Sequence, residues 1–207
     1  MTRDENTPIR YVLGMSGASG AAYGIRLLNF FLQAQEKYTL YLTLTQEARL
    51  IMNGETQLDW GNSFDETQSI LKTRYAETSS RLIYCDERDM TAPISSGSHQ
   101  IDGMIIAPCS MKTVAAIAQG LSSNLIERAA DVTLKERRPL ILVPRETPLH
   151  TIHLKNLLTL SEMGVILIPA MPAFYNHPKT LDDMVNFIAG RVLDALKIDH
   201  QIYTRWK

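Results

Sequence analysis

Three short apolar runs constrain the architecture before any single residue does. Residues 103–107 (GMIIA), 139–143 (PLILV) and 165–168 (VILI) carry no polar side chain. Such runs lack the alternation of a half-exposed strand, so both faces are buried, as in a parallel sheet covered by helices on either side. Two β-rich runs precede them at 10–15 (RYVLGM) and 38–44 (YTLYLTL), with a brief one at 81–84 (RLIY). Helical patterns fill the intervals, at 20–36, about 46–53, within 59–75, to about 118 after the 108–113 turn, at 124–135, 150–163 and 181–196. A glycine-serine segment, 91–100, reads as a loop opening a short helix. Strands alternating with helices predict a single α/β domain, a flavodoxin-like or Rossmann-like three-layer sandwich with a mainly parallel sheet. Its expected bounds are residues 10–198, after a flexible lead, 1–9, and before a short tail, 199–207.

In such sheets ligands bind beyond the carboxyl ends of the strands, where the strand order reverses. That rule selects the loops at 14–20, 45, 108–113, 144–148 and 169–178. The first is the most informative. Residues 11–28, YVLGMSGASGAAYGIRLL, run from strand through a glycine-serine turn into an amphipathic helix. This arrangement aims backbone N–H groups and a helix N-terminus at an anion, and serine hydroxyls add donors. An ordinary tight turn uses the same residues, so the ligand has to be argued from the rest. A dinucleotide site wants GxGxxG here and an acid ending the second strand. The glycines instead fall at 14, 17, 20 and 24, and the second strand ends in Leu44-Thr45. No GxxxxGK[ST] loop occurs either. A mononucleotide fits better, FMN being the natural candidate, with Ser110, Met111, Lys112 and Thr113 opening a helix as a second set of donors.

A second group of residues implies a second anion. Arg128 and Lys135 lie seven apart in one predicted helix, about two turns along one face. Arg145 and Glu146 end the next strand, and Tyr175 and Arg191 follow the last one. If these meet, several cations, one tyrosine and one carboxylate surround a pocket, and burying so many cations unpaired would be very costly. Glu146 among them could exchange a proton with a leaving group or neutralise an arginine.

Composition removes other classes. A formal net charge of −1 gives no reason to expect a nucleic-acid surface. The two cysteines, Cys85 and Cys109, have no metal-ligand spacing, and the five histidines include no HExxH pair, so no metal is expected. The start, MTRDENTPIR, has no apolar core of a secretory signal, and no run is long enough to span a membrane. A cytoplasmic protein is expected.

The chain resembles the flavin prenyltransferases of the UbiX/Pad type over nearly its whole length. The likeness rests on GxSGASGxxYGxRLL at 14–28, SSGS at 95–98, PCSxKT at 108–113, LIERAADVTLKERRPLILVPRETPLH at 125–150 and PAFYNHP at 172–178. It implies an enzyme that transfers a dimethylallyl group from dimethylallyl phosphate to N5 and C6 of reduced FMN. The product would be prenylated FMN, used by UbiD-type decarboxylases in ubiquinone biosynthesis or aromatic acid decarboxylation. The resemblance also implies a homo-oligomer, commonly a dodecamer, with sites near subunit contacts. Carried over by position, Gly17, Ala18, Ser19, Thr45, Ser110, Met111, Lys112, Thr113 and Arg145 would hold FMN. Tyr175 and Arg191, with Arg128 and Lys135, would bind the donor phosphate. Ser19, Glu55, Arg128, Lys135 and Glu146 would form the catalytic set, and the absence of a DDxxD motif predicts metal independence.

Met90 departs from relatives that carry an aromatic residue before the glycine-serine segment. A thioether can line an apolar pocket, but it stabilises a cation less than an aromatic face does. Two alternatives remain at this level. One is an FMN-dependent decarboxylase of the cysteine-decarboxylase group, against which stands Pro172 where that group's PxMN-type motif has Asn. The other is a non-catalytic FMN carrier, which has little need of a second cationic set.

Overall fold

Every strand pairing in the sheet is parallel, and the strand order is what places the site. The structure is a computed structural model that describes residues 8–34 and 38–206. Strand β1 (Ile9–Met15) lies in the middle, β2 (Tyr38–Leu44) on one side of it and β4 (Gly103–Cys109) on the other. Outward from these run β3 (Leu82–Asp86), then β5 (Leu140–Pro144) and β6 (Ile166–Leu167), giving the order β3-β2-β1-β4-β5-β6. Of the two common doubly wound orders this is the Rossmann one, reached without the dinucleotide glycine pattern. The chain winds outward from β1 through β3 and then crosses to β4. The reversal therefore falls between the carboxyl ends of β1 and β4, at residues 16–20 and 108–113.

Burial explains why the apolar runs are uninterrupted. All seven residues of β4 and all five of β5 are buried. Helices α1 (Ala21–Gln33), α2 (Gln46–Glu55), α3 (Phe64–Arg74) and α7 (Leu181–Ala195) cover one face. Helices α4 (Met111–Ala118), α5 (Leu125–Lys135) and α6 (Thr151–Glu162) cover the other. Their starts are set locally by side chains that accept a first-turn N–H: Thr45, Ser63, Ser110, Asn124, His150 and Thr180. Thr180 and Asp183 complete a reciprocal capping box. The short helix expected in 91–100 is a 3₁₀ turn, Pro93–Ser95.

The differences from expectation are small and have local causes. The first helix starts one residue late, because Gly20 takes a left-handed φ of 107° as its cap. It ends at Gln33, and residues 35–36 of the expected span lie outside the described residues. Ile9, placed by the sequence in the lead, pairs with Tyr38 in the sheet, and residues 1–7 lie outside the described residues. Among the described residues no helix is long and apolar enough to cross a membrane.

Candidate active site

The turns after β1 and β4 are tied together by backbone. Ser16 N–H donates to the Pro108 carbonyl (3.1 Å), and Ser110 N–H donates to Ser16 Oγ (2.9 Å). Thr45 N–H donates to the Met15 carbonyl (3.1 Å), bringing the end of β2 alongside. Gly17 lies so close to α2 that a Cβ there would come 2.6 Å from Glu47 Cβ. Together these turns enclose a cleft of about 320 Å³ whose walls include Gly17, Thr45, Ser110, Lys112 and Thr113. Five residues expected to hold FMN are thus neighbours. Of the others, Ala18 and Met111 are buried, Met111 within the core, while Arg145 and Ser19 group with Glu55 to one side.

The helix N-termini at this edge are occupied unequally. At α1 the Glu55 carboxylate, from the last residue of α2, accepts N–H bonds from Gly20 (2.9 Å) and Ala21 (2.8 Å). At α2 the buried Glu87 accepts from Gln46 N–H (2.7 Å) and lies 3.6 Å from Arg49; burial pushes its carboxyl up despite both partners. At α5 the buried Glu127 accepts from Ser123 N–H (2.7 Å). The anion seat expected at the glycine-serine turn is therefore filled by the chain's own Glu55. Helices α4 and α6 both begin without an acid in the first turn, and of these α4 opens on the cleft. The α4 cap, Ser110 Oγ, accepts from Thr113 N–H (3.2 Å) and lies 3.1 Å from Thr113 Oγ1; no acid stands in the first turn of α4, although Glu47, whose carboxyl the Lys112 charge helps to lower, lines the same cleft. Two hydroxyls, Lys112 and a helix N-terminus without an acid make a donor set that fits a phosphomonoester such as that of FMN. Thr45 in place of an acid at the end of β2 fits it too. Ser16, Glu47, Glu87, Arg88, Ser123 and Glu127 also line the cleft and were not anticipated. Glu87 follows β3, so the carboxyl-end rule extended to that strand would have selected it.

Ser19, Glu55 and Arg145 form a second group over the start of α1. Burial tends to raise the Glu55 carboxyl, but the Ser19 hydroxyl, the Ala21 and Gly20 amides and the Arg145 charge outweigh it and hold it below 4.5. The interaction is thus complete above the carboxyl's unfolded value, near 4.5, and is lost as pH falls through the lower folded value. Wild-type stability should therefore drop below pH 4.5 more steeply than that of Glu55→Gln, measured by urea melts from pH 6 to pH 3. Parallel curves would remove the carboxylate from this role. Glu146, in the same loop as Arg145, is exposed and accepts Thr147 N–H at 2.9 Å.

The cations expected to bind the donor phosphate do not gather within one chain. Arg128 and Lys135 line the same face of α5, as expected, and both reach the 95–97 segment. Arg128 Nε donates to the Ser95 carbonyl (3.1 Å), and Lys135 Nζ lies 2.6 Å from where a Gly97 Cβ would stand. A rise of 1.5 Å per residue nonetheless sets Lys135 about 10 Å further from the carboxyl edge. Tyr175 and Arg191 lie with α7, on the opposite face of the sheet, where Tyr175 packs edge-on against Phe187 and Trp206. The single pocket expected for all six residues is split by the sheet. Met90 is 42% exposed.

Comparison with known proteins matches this arrangement. The Flavoprotein family matches residues 1–193. The flavin prenyltransferase UbiX of Halalkalibacterium halodurans is 46% identical over 95% of this chain and 92% of its own. A dodecameric FMN-dependent UbiX-like decarboxylase from Escherichia coli O157:H7 superposes with a TM-score of 0.85 at 41% identity, over 96% of this chain and 100% of that one. AnUbiX (PadA1), solved in complex with FMN and dimethylallyl pyrophosphate, superposes with a TM-score of 0.83 at 37% identity, over 97% and 98% of the two chains. With its sheet order, its α4 cleft and this full-length identity, the chain belongs to the Flavoprotein family and, within it, to the UbiX flavin prenyltransferases.

Proposed function

We propose that this protein transfers a dimethylallyl group from dimethylallyl phosphate to reduced FMN, making prenylated FMN. The observation that carries this reading is the carboxyl edge itself, where a phosphomonoester cleft at α4 lies beside Ser19, Glu55, Arg145 and Glu146. Reduced FMN supplies the N5 and C6 atoms that take up the five-carbon unit. Thr45, Ser110, Lys112 and Thr113 hold its phosphate end, and Arg145 its ring side. Breaking the allylic C–O bond leaves a phosphate, whose growing charge Arg128, Lys135, Tyr175 and Arg191 stabilise. Glu146 hands a proton to that phosphate, and Glu55 orients the Ser19 hydroxyl for proton movement at the flavin.

Because one chain separates Arg128 and Lys135 from Tyr175 and Arg191, we assign the complete donor site to a contact between copies in a homo-oligomer. Exposed Phe174 (70%), Leu181 (81%) and Trp206 (74%) around Tyr175 supply apolar surface for such a contact. A cytoplasmic UbiD-type decarboxylase is the proposed recipient of the product.

The test is anaerobic incubation of the protein with reduced FMN and dimethylallyl phosphate, followed by mass measurement of the flavin. A flavin heavier by one five-carbon unit is expected, and an unchanged flavin sinks the reading. A monophosphate needs less neutralisation than a diphosphate, and four protein groups are available for it. Turnover is therefore expected to survive EDTA unchanged; loss with EDTA and recovery with magnesium would overturn that part.

A further inference from the structure

We infer that Asp194 is a positioning residue for the donor phosphate, orienting Arg191 and folding the C-terminal tail against Tyr175. This rests on the proposed role of Arg191 and Tyr175, and deepens it. Asp194 lies in the last turn of α7, one turn beyond Arg191, and its carboxylate gathers four partners. Oδ2 accepts from Tyr203 Oη (2.6 Å) and Arg191 Nη1 (3.2 Å). Oδ1 accepts from Arg205 Nη2 (2.7 Å) and lies 3.0 Å from Nε2 of His200, whose side chain is fully buried. Three of the four belong to the tail; the fourth is the donor-site arginine.

The packing around this carboxylate leads to the donor site. Gly190 lets the Tyr203 ring lie against α7; a Cβ there would come 2.6 Å from Tyr203 Cε1. Tyr203 packs against Phe187 (5.3 Å between centroids), and Phe187 against Tyr175 (5.9 Å). Beyond Arg205, the Trp206 ring meets Tyr175 nearly at right angles, 5.0 Å away. One carboxylate thus restrains Arg191 directly and Tyr175 through the tail. Burial tends to raise its carboxyl, but Tyr203, Arg205 and His200 bring it down to about 2, so it stays ionised at all working pH values. An arginine held on one side by a fixed carboxylate keeps its remaining N–H fork aimed at a phosphate, which lowers the cost of ordering it on binding.

A purely structural Asp194 would staple the tail and do no more, and the test separates these roles. FMN-loaded wild type, Asp194→Asn and Asp194→Glu are titrated with dimethylallyl phosphate by calorimetry, with transfer kinetics and tail hydrogen exchange measured alongside. Asp194→Asn should bind the donor about tenfold more weakly, with KM raised more than kcat falls, and Asp194→Glu should recover part of the loss. Donor affinity within about twofold of wild type, with faster tail exchange, overturns the inference and leaves a staple. If Asp194→Asn does not fold, Tyr203→Phe keeps the ring beside Gly190 while removing its bond to Asp194; unaltered donor affinity there overturns the tail's part in the inference. Wild type that transfers no five-carbon unit defeats the functional reading instead, and inorganic phosphate then replaces the donor as the probe. Equal phosphate affinity of wild type and Asp194→Asn would overturn the inference in that case.

Discussion

Glu146→Gln lowers prenyl transfer by about a hundred- to ten-thousand-fold, the range for removing a positioned general acid or base. Its FMN affinity stays near that of wild type. The exposed carboxylate contacts only its neighbour Thr147 among the described residues, so no part of the α4 cleft depends on it. Lys135→Ala should behave alike for a different reason, losing the charge proposed to stabilise the departing phosphate, worth about two to three orders of magnitude. Its side chain pairs with Glu136 at the end of α5, away from the flavin cleft. Single-turnover flavin mass measurements together with flavin fluorescence titrations separate the two quantities. Wild-type rates in either variant would remove that residue from the reaction. Mixing Lys135→Ala with Arg191→Ala subunits should restore part of the activity if two copies share a donor site. No recovery on mixing would place both residues in one subunit's site.

Gly24→Ala destabilises the fold by about 3 kcal/mol or more, at the upper end for overpacking a close contact. The added Cβ would run into the Ala107 carbonyl oxygen and come 2.5 Å from Met15 Cε and 2.8 Å from its sulfur. The methionine can turn away, but the carbonyl belongs to the buried central strand β4 and cannot. Because Ala107 leads directly into the turn that carries Ser110 to Thr113, FMN affinity should fall with stability. For a chain of this size the melting temperature should drop by roughly 6–12 °C. Gly54→Ala is the matched control. It lies exposed within α2, and a Cβ there meets nothing within 4 Å. It should stabilise by about 0.5–1 kcal/mol through helix propensity alone. A Gly24→Ala melting point within about 2 °C of wild type would show that α1 can slide off β4 at little cost.

Much of the fold is legible in the chain because its causes are local. β2 begins and ends where the β-rich run does, and α2, α4 and α5 start directly after Thr45, Ser110 and Asn124. Apolar periodicity and capping act over a few residues, so neighbouring letters suffice to read them. The cleft residues Gly17, Thr45, Ser110, Lys112 and Thr113 are legible for a related reason. In a parallel sheet, every carboxyl end points to the same edge.

What the linear sequence could not decide is which charge meets which. Glu55 reaches Gly20 across 35 positions and takes the anion seat that the glycine-serine turn had seemed to offer a ligand. Glu87 reaches Gln46 across 41. Such pairings depend on where α2 and β3 end in space, to within an ångström or two. The sheet likewise divides the cations expected at the donor site: α5 lies on one face in the right-handed crossover from β4 to β5, whereas α7, after the last strand, packs on the other. By itself, the sequence determined a parallel α/β sheet with a hydroxyl-lined mononucleotide edge. Only the tertiary structure decided that the acid-free start of α4 opens on the cleft and that Arg191 answers to Asp194. Short-range preferences are written in adjacent residues, whereas electrostatic partners are chosen by the packing of elements far apart in the chain.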